Sequence, residues 1–351
     1  MDRYERLAKH LDKLPAGFPA TASGVELRIL KRLFTPEEAD AAVVLTMFPE
    51  PAEVIAKRLG RKESDVETLF SSMSRKGLIG RSGKEQNKYM AANFINGIWE
   101  YHVNSLYEEL VRDVNEYIPQ IWEKRWAKQK TQQHRVVPVE KSVSVELNIM
   151  PYEKAENIIK NQSLIVVAPC ICRKEQRIIG KGCDKPLEAC LMLGANAHFY
   201  EQNNLGRSIS QQEALDILNR GIDAGLVLQP SNSQKPFVIC MCCGCCCMVL
   251  KNLNHMKEPA RVACTNYYVT VDKDDCTGCH GCENICQMGA ITVENESAVV
   301  NLARCIGCGL CVTRCEFNAI TLVEREEVEK VTIPENSIEQ YMNMAREKST
   351  M

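Results

Sequence analysis

At 351 residues, with 45% hydrophobic and 25% charged side chains, the chain has the makeup of an ordinary globular protein long enough for two or three domains. A formal charge of −2 excludes a global electrostatic pull toward nucleic acid or anionic membrane. The longest apolar runs, Leu164 to Cys172 and Phe237 to Leu250, are too short to span a bilayer. The charged start Met1-Asp2-Arg3-Tyr4 leads into no signal-like apolar segment, so a cytoplasmic protein is expected.

Cysteine is the abnormal count, at 19, and all of them lie between Cys170 and Cys315. An odd, clustered set with no signal segment points away from a disulfide framework and toward thiolate-bound metal. A triplet such as Cys245-Cys246-Cys247 oxidises readily in air, which implies an anaerobic or strongly reducing setting.

Residues 1–92 read as a small helical domain with a hairpin. Thr35-Pro36 opens a helix over Glu37 to Val44, Pro51 to Gly60 is a second with a glycine stop, and Lys62 to Lys76 is a third. Gly77-Leu78-Ile79-Gly80 then leads into Arg81-Ser82-Gly83-Lys84, a wing before Tyr89-Met90. This order resembles the winged helix-turn-helix of bacterial regulators, in which the start of the second helix of the motif meets base edges. Here that start carries Glu63, Asp65 and Glu67, the wrong sign for phosphate, although Arg58, Arg61, Lys62, Arg75, Lys76, Arg81, Lys84 and Lys88 flank it. Docking to a protein is therefore expected ahead of DNA binding, because the fold alone does not fix function.

Residues 93–137 read as one long amphipathic connecting helix, broken near Pro119. Phe94, Ile98, Tyr101, Leu106, Leu110, Val114, Ile118 and Ile121 recur at helical spacing, a stripe that fits packing on neighbours or on a second copy of the chain.

Residues 138–266 read as a Cys-rich α/β domain, opened by Pro138 and the alternating Val143-Ser144-Val145-Glu146-Leu147. Ser163 to Ala168 is a buried-strand pattern ending at Pro169-Cys170-Ile171-Cys172-Arg173. A second such strand, Lys235 to Ile239, runs into Cys240, Cys242, Cys243, Cys245, Cys246 and Cys247. Pro186 fits a helix start, which would put Cys183 and Cys190 two turns apart and facing one site. A helix from Ser210 to Ala224, with Ser210 as cap, joins the two strands. Ligands in an α/β layer gather at C-terminal strand ends, so the two clusters of cysteines should meet there. One or two further iron–sulfur clusters are expected on Cys170, Cys172, Cys183, Cys190, Cys240, Cys242, Cys243 and Cys246, in a grouping the sequence leaves open. Zinc with buried packing thiols is the competing reading. The region resembles Cys-rich segments that precede a ferredoxin domain in iron–sulfur proteins of anaerobic bacteria, a likeness that supplies no substrate. Arg173, Lys174 and Arg177 could compensate cluster charge or receive an acidic partner, with a solvated face as the default reading. There is no phosphate-binding glycine loop and no flavin or nicotinamide fingerprint.

Residues 267–323 carry Cys276-x2-Cys279-x2-Cys282-x3-Cys286 and, 29 positions on, Cys305-x2-Cys308-x2-Cys311-x3-Cys315. Gly278, Gly281, Gly307 and Gly309 permit tight loops around a cluster. Tyr268 to Val271 and Ala298 to Asn301 are the leading strands. This resembles the two-[4Fe–4S] bacterial ferredoxin family. The resemblance implies crossed ligation, with one cluster on Cys276, Cys279, Cys282 and Cys315 and the other on Cys305, Cys308, Cys311 and Cys286. The family's Pro after each fourth Cys is replaced by Gln287 and Glu316. Structural zinc is the alternative, and His280 reads as a surface residue. Residues 324–351 read as a charged, solvated tail.

The expected whole is an α+β multidomain protein: a winged helix-like domain and long helix, an α/β Cys-rich middle and a ferredoxin-like 2[4Fe–4S] end. Its expected role is that of an electron-transfer protein or oxidoreductase subunit, relaying single electrons to or from a redox partner or a larger oxidoreductase complex. Two rivals are a redox- or iron-sensing regulator that reads DNA, and an oxidoreductase with a substrate-binding cluster in the middle domain.

Overall fold

The computed structural model describes residues 1–82, 87–143, 147 and 149–350. At the N-terminus, α1 (Arg3–Lys13) starts in a capping box between Asp2 and Glu5, and α2 (Val25–Leu33) follows. The helix α3 (Pro36–Ala42) is capped by the Thr35 side chain, which accepts from the Glu38 amide while the Glu38 carboxylate accepts from that of Thr35. After β1 (Glu50–Pro51) come α4 (Ala52–Leu59), stopped by Gly60 at φ +65°, and α5 (Glu63–Arg75). The strands β2 (Gly80–Ser82) and β3 (Lys88–Met90) complete an antiparallel sheet in the order β1-β3-β2. Val66, Phe70 and Met73 of α5 are fully buried, and Phe70 packs on Tyr89 of β3 at 5.5 Å between ring centroids. Gly83 and Lys84 of the expected wing lie outside the described residues.

The single connecting helix is a correction. Residues 94–98 form a distorted turn with Asn96 at φ +57°, and α6 (Trp99–Tyr101) is one short turn. The chain then leaves helical conformation, because the His102 ring takes up the Ile98 carbonyl (Nδ1···O 2.6 Å) and the Ser105 hydroxyl bonds the His102 carbonyl. Helix α7 (Glu108–Lys124) resumes afterwards and runs through Pro119. A missing N–H inside a helix packed on both sides costs less than breaking that packing. Its apolar stripe, including Leu110, Val114, Tyr117 and Ile121, is buried within the chain, largely against α2.

The middle region is a sheet with helices around it. Helix α8 (Ala155–Lys160) leads to β4 (Ile165–Pro169), α9 (Ile171–Ile178), β5 (Glu188–Leu193), α10 (Gly194–Gln202) and β6 (Arg207–Ile209). Then follow α11 (Gln211–Asp223), β7 (Val227–Pro230), β8 (Val238–Cys242) and α12 (Met248–His255). Ser210 caps α11 by accepting from the Glu213 amide at 3.1 Å. The strand order is β6-β4-β5-β8-β7, and every neighbouring pair is antiparallel. Residues 188–193 are therefore a central strand and not the helix that Pro186 suggested. Five of its six residues are buried between β4 and β8, a short all-apolar run that periodicity cannot assign. Because β5 is antiparallel to both neighbours, β4 and β8 point the same way and their C-terminal ends share one edge. Ser144, Val145 and Glu146 of the expected opening strand lie outside the described residues.

The C-terminal module comprises β9 (Tyr267–Val271), α13 (Gly281–Ile285), β10 (Ile291–Glu294), β11 (Ser297–Val300) and β12 (Ile320–Glu324). Strand β9 pairs with β12 and β10 with β11, both antiparallel. The last helix, α14 (Ser337–Thr350), corrects the solvated tail: Met344 is fully buried, and the Gln340 amide donates to the carbonyls of Gln132 and Gln133. Tyr341 packs on Phe237, and the Lys348 ammonium donates to the Leu14 carbonyl. Among the described residues, no helix is long and apolar enough to cross a membrane.

Candidate metal centres

The two Cys runs of the C-terminal module sit in loops between its strands. In the first loop Gly278 takes φ +65°, and an added Cβ would meet the Glu296 carbonyl at 2.7 Å, so the turn requires glycine. Cys276, Cys279 and Cys282 line one small cavity together with Cys315 from the second run. Backbone amides of Gly278 and Ala298 point at the Cys276 sulfur and hold its thiol below the ordinary range, the Ala298 amide at 3.3 Å. The second loop is more enclosed. Burial pushes Cys305 and Cys311 up and Cys308 up to about 12, and the charge of Cys286 bears on all three. Each run thus places its fourth cysteine against the other run's first three. Cys282 also bears on Cys311, so the two groups adjoin. His280 is exposed and paired with Glu283 at 2.6 Å, at the rim.

Gln287, where the ferredoxin pattern has Pro, forms a seam. Its side-chain oxygen accepts from the Gly244 amide at 2.9 Å, and its carbonyl accepts from the Asn254 side chain at 2.9 Å. Arg304 adds bonds to the carbonyls of Met288, Met256 and Asn254, and Arg314 donates to the Asp223 carbonyl at 2.6 Å. These contacts press the module against the loop that carries Cys243 to Cys247.

That loop supplies three members of a third group. The sulfurs of Cys183, Cys243, Cys245 and Cys246 lie within 4.8 Å of one another, with Cys183 at 4.0 Å from Cys243 and 3.7 Å from Cys246. A tetrahedral ion with sulfur bonds of about 2.3 Å spaces its thiolates slightly under 4 Å apart, so the group fits one thiophilic ion. A cubane spreads its thiolates over four separate iron corners, farther apart. Arg173 lies beside this quartet, its guanidinium 3.7 Å from the Cys243 sulfur and 3.1 Å from the Met241 carbonyl. Its side chain is fully buried, which corrects the solvated face at this residue, whereas Arg177 is exposed. Burial opposes the guanidinium charge, but Cys170, Cys243 and Cys190 raise its pKa.

The remaining middle cysteines gather separately. Cys170, Cys172, Cys190, Cys240, Cys242 and Cys247 line one cavity of about 60 Å³ where β4, β5 and β8 meet the start of α12. Its wall continues through Ile95, Glu100, His134, Tyr200 and Phe237. Burial pushes the Glu100 carboxyl up to about 8. The structure therefore splits the expected pool in two: Cys183 leaves Cys170, Cys172 and Cys190 and joins Cys243 and Cys246. Two participants escaped the sequence reading, Cys245 in the quartet and Cys247 in the cavity. The six-in-eight density of the run was the available signal, but it does not tell which side chains turn which way. Cys264 stays apart, bonded to Asn232.

A family model for the 4Fe-4S binding domain matches the chain twice, over residues 269–292 and 298–321. Those two stretches hold all eight cysteines of the C-terminal module, which supports an iron–sulfur, electron-transferring role in general. No curated protein and no solved structure matches the chain.

Proposed function

We propose that this protein is an iron–sulfur electron carrier, or the carrier subunit of a larger oxidoreductase, working in an anaerobic cell. The observation that carries the reading is the adjoining pair of cysteine groups on the doubled 4Fe-4S motif, each completed by the other run's fourth cysteine. Cys276, Cys279, Cys282 and Cys315 would hold one [4Fe–4S] cluster, and Cys305, Cys308, Cys311 and Cys286 the other. The clusters supply one-electron chemistry; the chain keeps them close, shields the second more than the first and orients backbone amides at the sulfurs. The seam at Gln287 and Arg304 sets the middle cysteines beside this pair, which suits a relay continuing into the middle region.

The winged helix-like N-terminal domain serves as a docking element in this reading. Glu63, Asp65 and Glu67 of α5 are exposed, while Arg58, Arg61 and Lys76 are engaged by Glu50, Glu37 and Glu38. Pairing of these three cations lowers the positive charge offered to phosphate beside the acidic start of α5. The test is anaerobic reduction of the full chain, followed by EPR and electron transfer to a viologen or a cytochrome. Two coupled [4Fe–4S] signals with fast transfer are expected. A chain that holds zinc in place of iron would overturn the reading, and a specific gel shift on flanking genomic DNA would move the N-terminal domain to regulation.

A further inference from the structure

The six-cysteine cavity is built differently from the other three groups. All six thiols line one cavity, and each bears electrostatically on two others in a closed order. Cys170 meets Cys172 and Cys190, Cys240 meets Cys190 and Cys242, and Cys247 meets Cys172 and Cys242. Cys190 and Cys240 face each other in register across β5 and β8. A tetrahedron around one ion would bring every sulfur near every other. A ring encloses a space. The cavity it lines, about 60 Å³, continues past the sulfurs to Ile95, Glu100 and Tyr200. It also exceeds the 10–15 Å³ or so that one water-sized occupant needs.

The ring has two matching halves. Cys170-x-Cys172 leaves the end of β4 and is joined by Cys190 of β5. Cys240-x-Cys242 ends β8 and is joined by Cys247 at the start of α12. Two cubanes that share a bridging sulfide expose three irons each, which calls for three thiolates on either side. Charge points the same way. Six thiolates, four buried and two half-buried, need several compensating positive charges, and among the described residues the guanidinium that bears on the ring is that of Arg173. An iron–sulfur core supplies that compensation, and soft sulfur donors select it over oxygen-loving cations.

We propose that the ring of Cys170, Cys172, Cys190, Cys240, Cys242 and Cys247 binds an iron–sulfur cluster larger than one cubane, held by six thiolates as three and three. Each ligating thiol gives up its proton to the medium as its iron–sulfur bond forms. The inference rests on the reading that this chain is loaded with iron–sulfur clusters, and its test separates the two.

The experiment is native mass spectrometry with iron and sulfide counting on the full chain purified without oxygen. The wild type is compared with Cys172→Ser/Cys240→Ser, with Cys276→Ala/Cys305→Ala, and with Cys264→Ser as a control for loss of an unrelated buried thiol. The ring variant should lose about eight irons and keep the ferredoxin EPR signal, counting four irons for each cubane. Cys264→Ser should lose none. A ring variant that loses about four irons, or none, overturns the proposal, as does copper or zinc in the wild-type ring. If the ring variant fails to fold, the wild type and the ferredoxin variant decide. With the ferredoxin pair removed, a residual mass of eight irons with their sulfides supports the ring cluster, and one no larger than a single cubane overturns it. A wild type with no ferredoxin signal but an eight-iron difference at the ring would sink the electron-carrier reading and leave this one standing.

Discussion

Cys315 is the residue on which the crossed arrangement turns. It lies 33 positions or more from Cys276, Cys279 and Cys282, yet lines their cavity. Cys315→Ala should remove about four irons and abolish the magnetic coupling between reduced clusters, while the cluster of Cys305, Cys308 and Cys311 persists. Iron counting and EPR on the anaerobic variant read this directly; loss of the other cluster instead would mean that each run closes on itself. Gly244 is a second test of a single position. An added Cβ would collide with the Gln287 carbonyl and meet the Asn254 side chain at 2.9 Å. Gly244→Ala should cost about 1–3 kcal/mol, seen as a lower Tm and as faster alkylation of the neighbouring exposed Cys245. An unchanged Tm would show that the seam yields freely.

Among the elements, the N-terminal sheet and helices are joined by short-range electrostatics that should respond to acid. The Arg58 guanidinium, 2.6 Å from the Glu50 carboxylate and joining β1 to α4, holds that carboxyl below its ordinary value of 4.5. A carboxylate with a depressed folded-state pKa contributes stability above its unfolded value, and this is lost as pH falls through the folded one. Wild type should therefore exceed Glu50→Gln by roughly 0.5 kcal/mol at neutral pH, a small sum because the pair is partly exposed. The two melting curves should converge below about pH 4. A constant gap at all pH values would assign the effect to packing. The element that misled sequence reasoning most was β5. Glu188-Ala189-Cys190-Leu191-Met192-Leu193 carries no alternation, because both its faces are covered. Its place at the centre of the sheet, set by β4 and β8, decides its conformation.

At the scale of the whole molecule, the C-terminal module pairs its strands only two by two around the short helix α13, so its stability is expected to depend on bound clusters. Removing iron with a chelator should raise hydrogen exchange across residues 267–324, while α1 to α5, which carry no cysteine, stay protected. Uniform protection before and after chelation would mean that the fold does not depend on metal.

What the sequence determined by itself was the ferredoxin pair. The first three cysteines of each run sit within seven residues, the loop glycines are local, and the repeat displays the pattern twice. Helix starts such as Thr35-Pro36 and Ser210 were legible for the same reason, since caps are made by neighbours in the chain. Only the tertiary structure decided how the middle cysteines divide. Cys183 reaches Cys243 across 60 residues, and Cys190 reaches Cys240 across 50, through the pairing of β5 with β8. A spacing in sequence reports a contact only when the backbone between is short; beyond that, sheet register chooses the partners, and register is fixed by the core as a whole.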